Sequence, residues 1–472
     1  MTASAEAEHH GHIHGYGSRP YRSYVLTALL ASYILNFIDR ALLSVVAPQM
    51  KPELGISDTA FGLLTGFGFA LLYTLVGIPV AQLAETRHRV WIMAICITLW
   101  SVMTALCGLS APIVIGGATI GAFWVLLACR VGVGIGEAGC TPPANSLIAD
   151  YYPPARRSTA LGYYAMGVTL GTVLANLVGG PVTDAFGWRI AFIVVGLPGV
   201  LLAVVMVLTV REPPRGYTDP PGTVRRARAT FRDALREVGT KRSFWMVTIG
   251  SMFAAFGGYG INSFQSLFLN RSFGLSSGDA AVLVNTPVGL IGAVGTFATG
   301  WAAERLGKRH PNAIAWLPGV CLVLSAPIHV WGFMTGQLWL CVTLLCVGGA
   351  LKYTYLTGQY TIGQGVASAQ ARAVSVAILL FVVNLLGYGL GPLFTGALSD
   401  VIFAGQVADL GAPDLTRKAC EGAARAALAP PLQAVCRIAH PESLKLSMVW
   451  TSGAYLLSGV FFLLTCRWLR RD

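Results

Sequence analysis

"ACRVGVGIGEAGC", residues 128–140, decides how this chain is read. Gly134, Gly136 and Gly139 spell GxGxxG, the fingerprint of a phosphate-cradling loop between a short strand and a soluble helix. Here the pattern lies inside a long, mostly apolar run, 118–148. The motif therefore reads as a membrane helix, in which Gly132, Gly134, Gly136 and Gly139 let a neighbouring helix approach closely. Arg130 and Glu137 then stand seven residues apart on one face, about 10 Å along the axis. That is too far for a direct bond, so each needs a partner on another helix.

The rest of the chain agrees. Of 472 residues, 54% are hydrophobic and 11% charged, about half the charged share of a soluble domain. Such a chain cannot cover itself with a polar surface. We expect an all-α membrane protein of twelve helices, at about 23–48, 59–84, 90–110, 118–148, 158–181, 190–210, 244–270, 279–303, 312–334, 338–366, 373–399 and 446–466. The third and fourth are hard to separate, because "LSAPIVIGGATIG" between them is itself apolar. No cleavable signal peptide precedes the first span.

Orientation follows from the basic residues. With both termini inside, inner segments hold 22 of the 33 Lys and Arg, outer connections hold eight, and three lie inside the membrane. This spread accounts for the net charge of +12 without nucleic acid. Residues 1–22 read as a disordered cytoplasmic tail. Its "HHGHIH" could bind a metal weakly, but composition favours a plain tail and no metal site is expected. The domains expected are a bundle at 23–210, a partly helical cytoplasmic linker at 211–243, a second bundle at 244–466 and a short tail at 467–472. Within the second bundle, 400–445 reads as a long extracytoplasmic loop. Most of the ten cysteines lie in apolar runs and act as small hydrophobes. Cys420 and Cys436 lie in that loop, where they stand as a disulfide or as two free thiols.

Six helices repeat. "AQLAETRHRV" (81–90) follows the second span and "GWAAERLGKR" (300–309) the eighth, as expected for a parallel two-half transporter. "GxxAERxGKR" resembles the cytoplasmic loop signature of the major facilitator superfamily, and "RVGVGIGEAG" its fourth-helix signature. "GGPVTDAFGWRIAF" (179–192) and "GLGPLFTGALSD" (389–400) resemble its fifth- and eleventh-helix endings. More narrowly, "NFIDRALLSVVAPQMKPELGISDTAFGLLTGFGFALLY" with "GEAGCTPPANSLIADYYPPARRSTALG" is similar to the spinster-like branch. The resemblance implies a secondary transporter of anionic amphiphiles such as lysophospholipids or sphingosine-1-phosphate. It also implies gating loops, with Glu85, Arg87 and Arg89 in one half and Glu304, Arg305, Lys308 and Arg309 in the other. The first loop departs from the pattern, with Glu85 for Asp, Thr86 for Arg and His88 for Gly.

A charge at mid-bilayer is costly and usually faces a cavity or a partner. We place five there: Asp39, Arg40, Arg130, Glu137 and Lys352. The first four suggest an exchangeable network between the first and fourth helices, with Asn36 beside them. Glu137 is the preferred proton carrier and Arg40 its partner, against the alternative of a static buried pair. In the second half Lys352, Tyr355 and Gln359 share a face of the tenth helix. Tyr259, Asn262 and Ser266 share one on the seventh, and Asn384 and Tyr388 one on the eleventh. This set would suit one anionic head group at the interface of the halves; otherwise the polar groups bridge helices and Lys352 snorkels outward. Pro287, Pro142–Pro143 and Pro392 are expected kinks.

No HExxH, GxSxG with a His partner, or paired catalytic acids are found, so an enzyme is not expected. The reading is a monomeric, multi-pass transporter of the bacterial inner membrane, driven by a proton gradient without a cofactor and working by alternating access. A small organic anion as substrate, or a receptor that binds without transport, are the alternatives.

Overall fold

The structure, a computed structural model, describes residues 14–115, 118–219, 231–310, 312–368 and 371–469. Histidines 9, 10 and 12 of the tail, the middle of the linker and the last three residues lie outside them.

Twelve helices are long and apolar enough to cross a membrane. They are α1 (Arg19–Leu54), α2 (Asp58–Thr86), α3 (Arg89–Gly108), α4 (Ala122–Tyr151), α5 (Pro154–Phe186), α6 (Trp188–Thr209), α7 (Arg242–Phe273), α8 (Ser277–Gly307), α9 (Ala313–Met334), α10 (Leu338–Gly365), α11 (Val374–Asp409) and α12 (Pro430–Trp468). Each expected span falls on one of them. Their outer faces carry bare apolar side chains such as Leu208, Phe297 and Trp339, a surface suited to lipid and not to water.

Several helices overrun their apolar bands. α11 continues to Asp409 and α12 begins at Pro430, so the long loop expected at 400–445 narrows to 410–429. The added turns have their own core: Phe403, Val407 and Ala439 pack around Cys420 and Cys436. The apolar stretch between α3 and α4 is also not a simple loop. Ile113–Ile115 pairs with Ala118–Ile120 as an antiparallel ribbon, Ile113 opposite Ile120; β-branched side chains favour that pairing over helix.

Helices break where sequence demands it. α4 turns at Gly139–Cys140, just before Pro142. π-turns at Ala280–Asn285 and Val383–Tyr388 precede Pro287 and Pro392, absorbing the bond that each proline cannot make. α10 breaks at Tyr353–Thr354.

The chain forms two compact units: Met1–Leu42 with Leu71–Arg226, and Leu43–Ala70 with Ala227–Asp472. In the first, the glycines of α4 are contact points with α3. A Cβ on Gly136 would lie 2.7 Å from the backbone nitrogen of Trp100, and one on Gly132 2.7 Å from Met103 Cγ. In the second, Gly62 and Gly66 of α2 form a GxxxG face against α11, where a Cβ on Gly62 would meet Leu393 Cα at 2.9 Å. In both places backbone packs on backbone, the contact that small residues permit in membranes.

Gly136→Leu should therefore lower stability by about 1–3 kcal/mol through overpacking. Thermal melts in detergent check this. Gly77→Leu, where a Cβ meets nothing within 4 Å, should leave the melt unchanged.

Candidate functional site

In the first unit, α1 and α4 bring their charges together. Arg40 Nε donates to Glu137 Oε2 at 2.5 Å, and the Glu137 side chain is fully buried. The Arg40 guanidinium lies 5.0 Å from the Phe37 ring centre and 4.6 Å from that of Tyr73. The cation thus has two ring faces beside its one carboxylate. Asp39, also buried, accepts from Thr104 Oγ1 of α3 at 3.1 Å. Arg130 is buried and acts electrostatically on both Asp39 and Glu137. Asn36 is buried next to Glu137. Two carboxylates and two guanidiniums share this site, so it is neutral when all are ionised.

The second unit has a different site. Lys352 Nζ donates to Asn262 Oδ1 at 2.8 Å, and Asn262 Nδ2 donates to the Tyr353 hydroxyl at 3.0 Å. Lys352 also lies 5.0 Å from the Tyr353 ring centre. It is buried and has no carboxylate partner among the described residues. α10 breaks at Tyr353–Thr354, and the phenol that the structure puts at the lysine is Tyr353, a residue not named among the expected site residues. Tyr355 and Gln359 are buried nearby along the chain, and Gln359 Oε1 has no hydrogen-bond partner among the described residues. Tyr259 meets Tyr388 edge-on at 4.2 Å, and Phe69 meets Tyr388 at 5.5 Å. Asn384 lies in the π-turn before Tyr388. Ser266 accepts from Asn285, which accepts from Gln265.

The expected gating loops are arranged unequally. Arg89 is fully buried. It pairs with Asp150 at the end of α4, and its Nε meets Glu212 Oε1 at 2.5 Å. The start of the linker is thereby strapped to its own bundle, and Gly216 N adds a bond to Asp150. Glu85 and Arg87 are exposed. In the second loop Arg305 stacks on Trp301 at 4.0 Å. Glu304, Lys308 and Arg309 are exposed.

A further cluster was not legible in the sequence. It lies in the second unit, at the end of α1 remote from the N-terminus. Asp58, fully buried at the start of α2, accepts a bidentate pair from Arg271 at 2.8 and 2.9 Å. It also accepts from Lys51 at 2.6 Å, Arg417 at 2.8 Å and Ser399 at 2.7 Å. Asp400 of α11 accepts from the Thr59 backbone N–H at 2.8 Å and pairs with Arg417, so it caps α2 from another helix. Glu421 accepts from Lys51 and Arg271 and lies against His440. Burial pushes the Glu421 carboxyl up, but the His440 bond and the charges of Lys51 and Arg271 outweigh it and hold it down to about 2. Cys420, between Arg417 and Glu421, is bonded to Cys436 of α12. In the sequence Asp58 follows Ser57 as an ordinary helix start; only the GxxxG at 62–66 hinted at close contact.

The comparisons with known proteins agree with this architecture. The Major Facilitator Superfamily profile matches residues 29–392. An MFS-type efflux pump of Mycolicibacterium smegmatis is 34% identical over 84% of this chain and 88% of its own. Protein spinster homolog 1 of Xenopus laevis is 25% identical over 86% of this chain and 80% of its own. A crystal structure of a bacterial homolog to the human lysosomal transporter Spinster, inward-facing and unoccupied, is 41% identical. It superposes with a TM-score of 0.88 over 97% of this chain and 99% of that one.

Removing one partner of a buried charge cluster costs about 3–5 kcal/mol. Asp58→Asn leaves three cations facing two carboxylates and should lower the melting temperature markedly. Glu421 adds a pH term. Its carboxyl is held down to about 2 from an ordinary 4.5, so the unfolded chain binds the proton more readily. Its stabilisation is complete above 4.5 and disappears as pH falls toward 2. Glu421→Gln should flatten the wild-type loss of stability in that acid range, read from melts at stepped pH.

Proposed function

The chain belongs to the Major Facilitator Superfamily, as a multi-pass transporter of its spinster-like branch, and we propose that it moves an anionic amphiphile coupled to a proton. The observation that carries the proposal is the buried Arg40–Glu137 pair. A carboxylate bonded to a guanidinium and enclosed away from water changes state when it is protonated. Glu137 Oε2 takes up the proton, the N–H···O⁻ ion pair with Arg40 is lost, and the guanidinium keeps its charge. Arg40 can then turn to an anion, and return of the proton to solvent restores the pair.

Lys352 supplies the second part. A buried ammonium held by an amide and a phenol, without a carboxylate, suits an anionic head group. The rings of Tyr259, Tyr388 and Phe69 suit an aliphatic chain. The choice of a lysophospholipid or a sphingosine-1-phosphate-like lipid rests on the resemblance to the spinster-like branch. By the distribution of Lys and Arg, both termini face the cytoplasm of a bacterial inner membrane. Transport then proceeds by alternating access.

Flux in proteoliposomes with and without a pH gradient tests this. Wild type should carry lysophospholipid or sphingosine-1-phosphate faster with the gradient; Glu137→Gln should lose that stimulation while still binding ligand. Lys352→Ala should weaken binding of the anionic ligand by about tenfold, the loss of one charge-assisted hydrogen bond of about 1.5 kcal/mol. Flux of sugar acids instead of lipids would assign a small organic anion. Binding without any flux would assign a receptor.

A further inference from the structure

Where the polypeptide enters the first unit, a cleft of about 550 Å³ opens between the first turns of α1 and α5. Its walls carry the hydroxyls of Ser23, Thr27, Thr159 and Tyr163, and its floor is the apolar Leu26 and Ala160, both buried. Arg156 lines it. Two more arginines add to the field: Arg22, whose Nη1 donates to Gly17 O, lies beside the cleft within electrostatic reach of both Arg156 and Arg19. None of the three is paired with a carboxylate among the described residues. Like charges so placed repel one another unless an anion joins them.

The neighbouring arginine shows what satisfaction looks like here. Arg157 donates to Ala149 O and Thr218 Oγ1 and faces Asp219 at 3.6 Å. Its charge is answered by the linker, whereas that of Arg156 is left to the cleft. The first turn of α5 starts behind Pro153 without a side-chain cap, so the positive end of the helix dipole adds to the potential. Leu26 and Ala160 give the cleft an apolar side next to its charged one.

We propose that this cleft is a binding site for an anionic glycerophospholipid of the adjoining leaflet, its phosphate among Arg156, Arg22 and the hydroxyls and its chains against Leu26 and Ala160. The site lies wholly within the first unit. It uses none of the residues assigned to proton or substrate handling, so it stands or falls apart from the transport proposal.

The test uses the full-length protein and native mass spectrometry after equilibration with phosphatidylglycerol in detergent. Wild type should retain phosphatidylglycerol in preference to phosphatidylcholine. Arg156→Ala should weaken retention about five- to tenfold, one interfacial cation's share. Arg157→Ala, the same charge loss one residue away, should leave retention unchanged. Equal retention by wild type and Arg156→Ala would overturn the assignment. So would displacement of the lipid by millimolar inorganic phosphate, because the cleft would then take a soluble phosphate and not a lipid. Melting temperatures of both variants, expected to match wild type, separate loss of the site from loss of the fold.

Discussion

Asp58 is a single carboxylate receiving three cations in a place closed to water. Buried charges of this kind hold only when every partner is present, and here the partners come from four parts of the chain besides α2. Lys51 ends α1, Arg271 ends α7, Ser399 and Asp400 belong to α11, Arg417 to the last loop, and Glu421 joins two of the cations from that loop. The stretch 43–70 is the far end of the first two helices, yet it folds with the second unit. The cluster and the GxxxG face of α2 explain that allegiance.

Three buried sites differ in how far their charge is compensated. Asp58 is surrounded by cations, Glu137 is held by Arg40 with Arg130 acting on it electrostatically, and Lys352 is held by neutral dipoles. The first arrangement favours a fixed state. In the proposed mechanism the second is the one that exchanges, because a proton on Glu137 removes the charge that Arg40 meets, and the third is the one that meets the anionic cargo. The two signature loops, one in each unit, differ as well. Arg89 is a structural strut through Asp150 and Glu212, in the copy whose signature departs further from the family pattern, while the second copy, which departs only with Glu304 for Asp, keeps its charged side chains exposed.

Much of this was legible in the sequence because the bilayer imposes simple demands. Apolar length marked the helices, and a charge within such a length marked α1, α4 and α10 as special. Glycine spacing marked α4 as a close-packed helix without saying that its partner is α3, and prolines pointed to the helix breaks near 140, 285 and 388. What escaped was set by distance along the chain or by local backbone choice. Asp58 lies more than 200 residues from Arg271 and more than 350 from Arg417, so no periodicity links them. Helical spacing singled out Tyr355 on the face of Lys352 and passed over Tyr353, which stands at the break in α10. The ribbon at 113–120 hid in an apolar run that reads equally as helix or strand.

The disulfide between Cys420 and Cys436 has a consequence for biogenesis. Lys51 and Asp58 leave the ribosome more than 350 residues before Arg417, Glu421 and the cysteine that anchors their loop. The hairpin of α1 and α2 must therefore wait with its acid only partly neutralised until that loop has been made, so the cluster is a stitch that closes late, between segments made far apart in time.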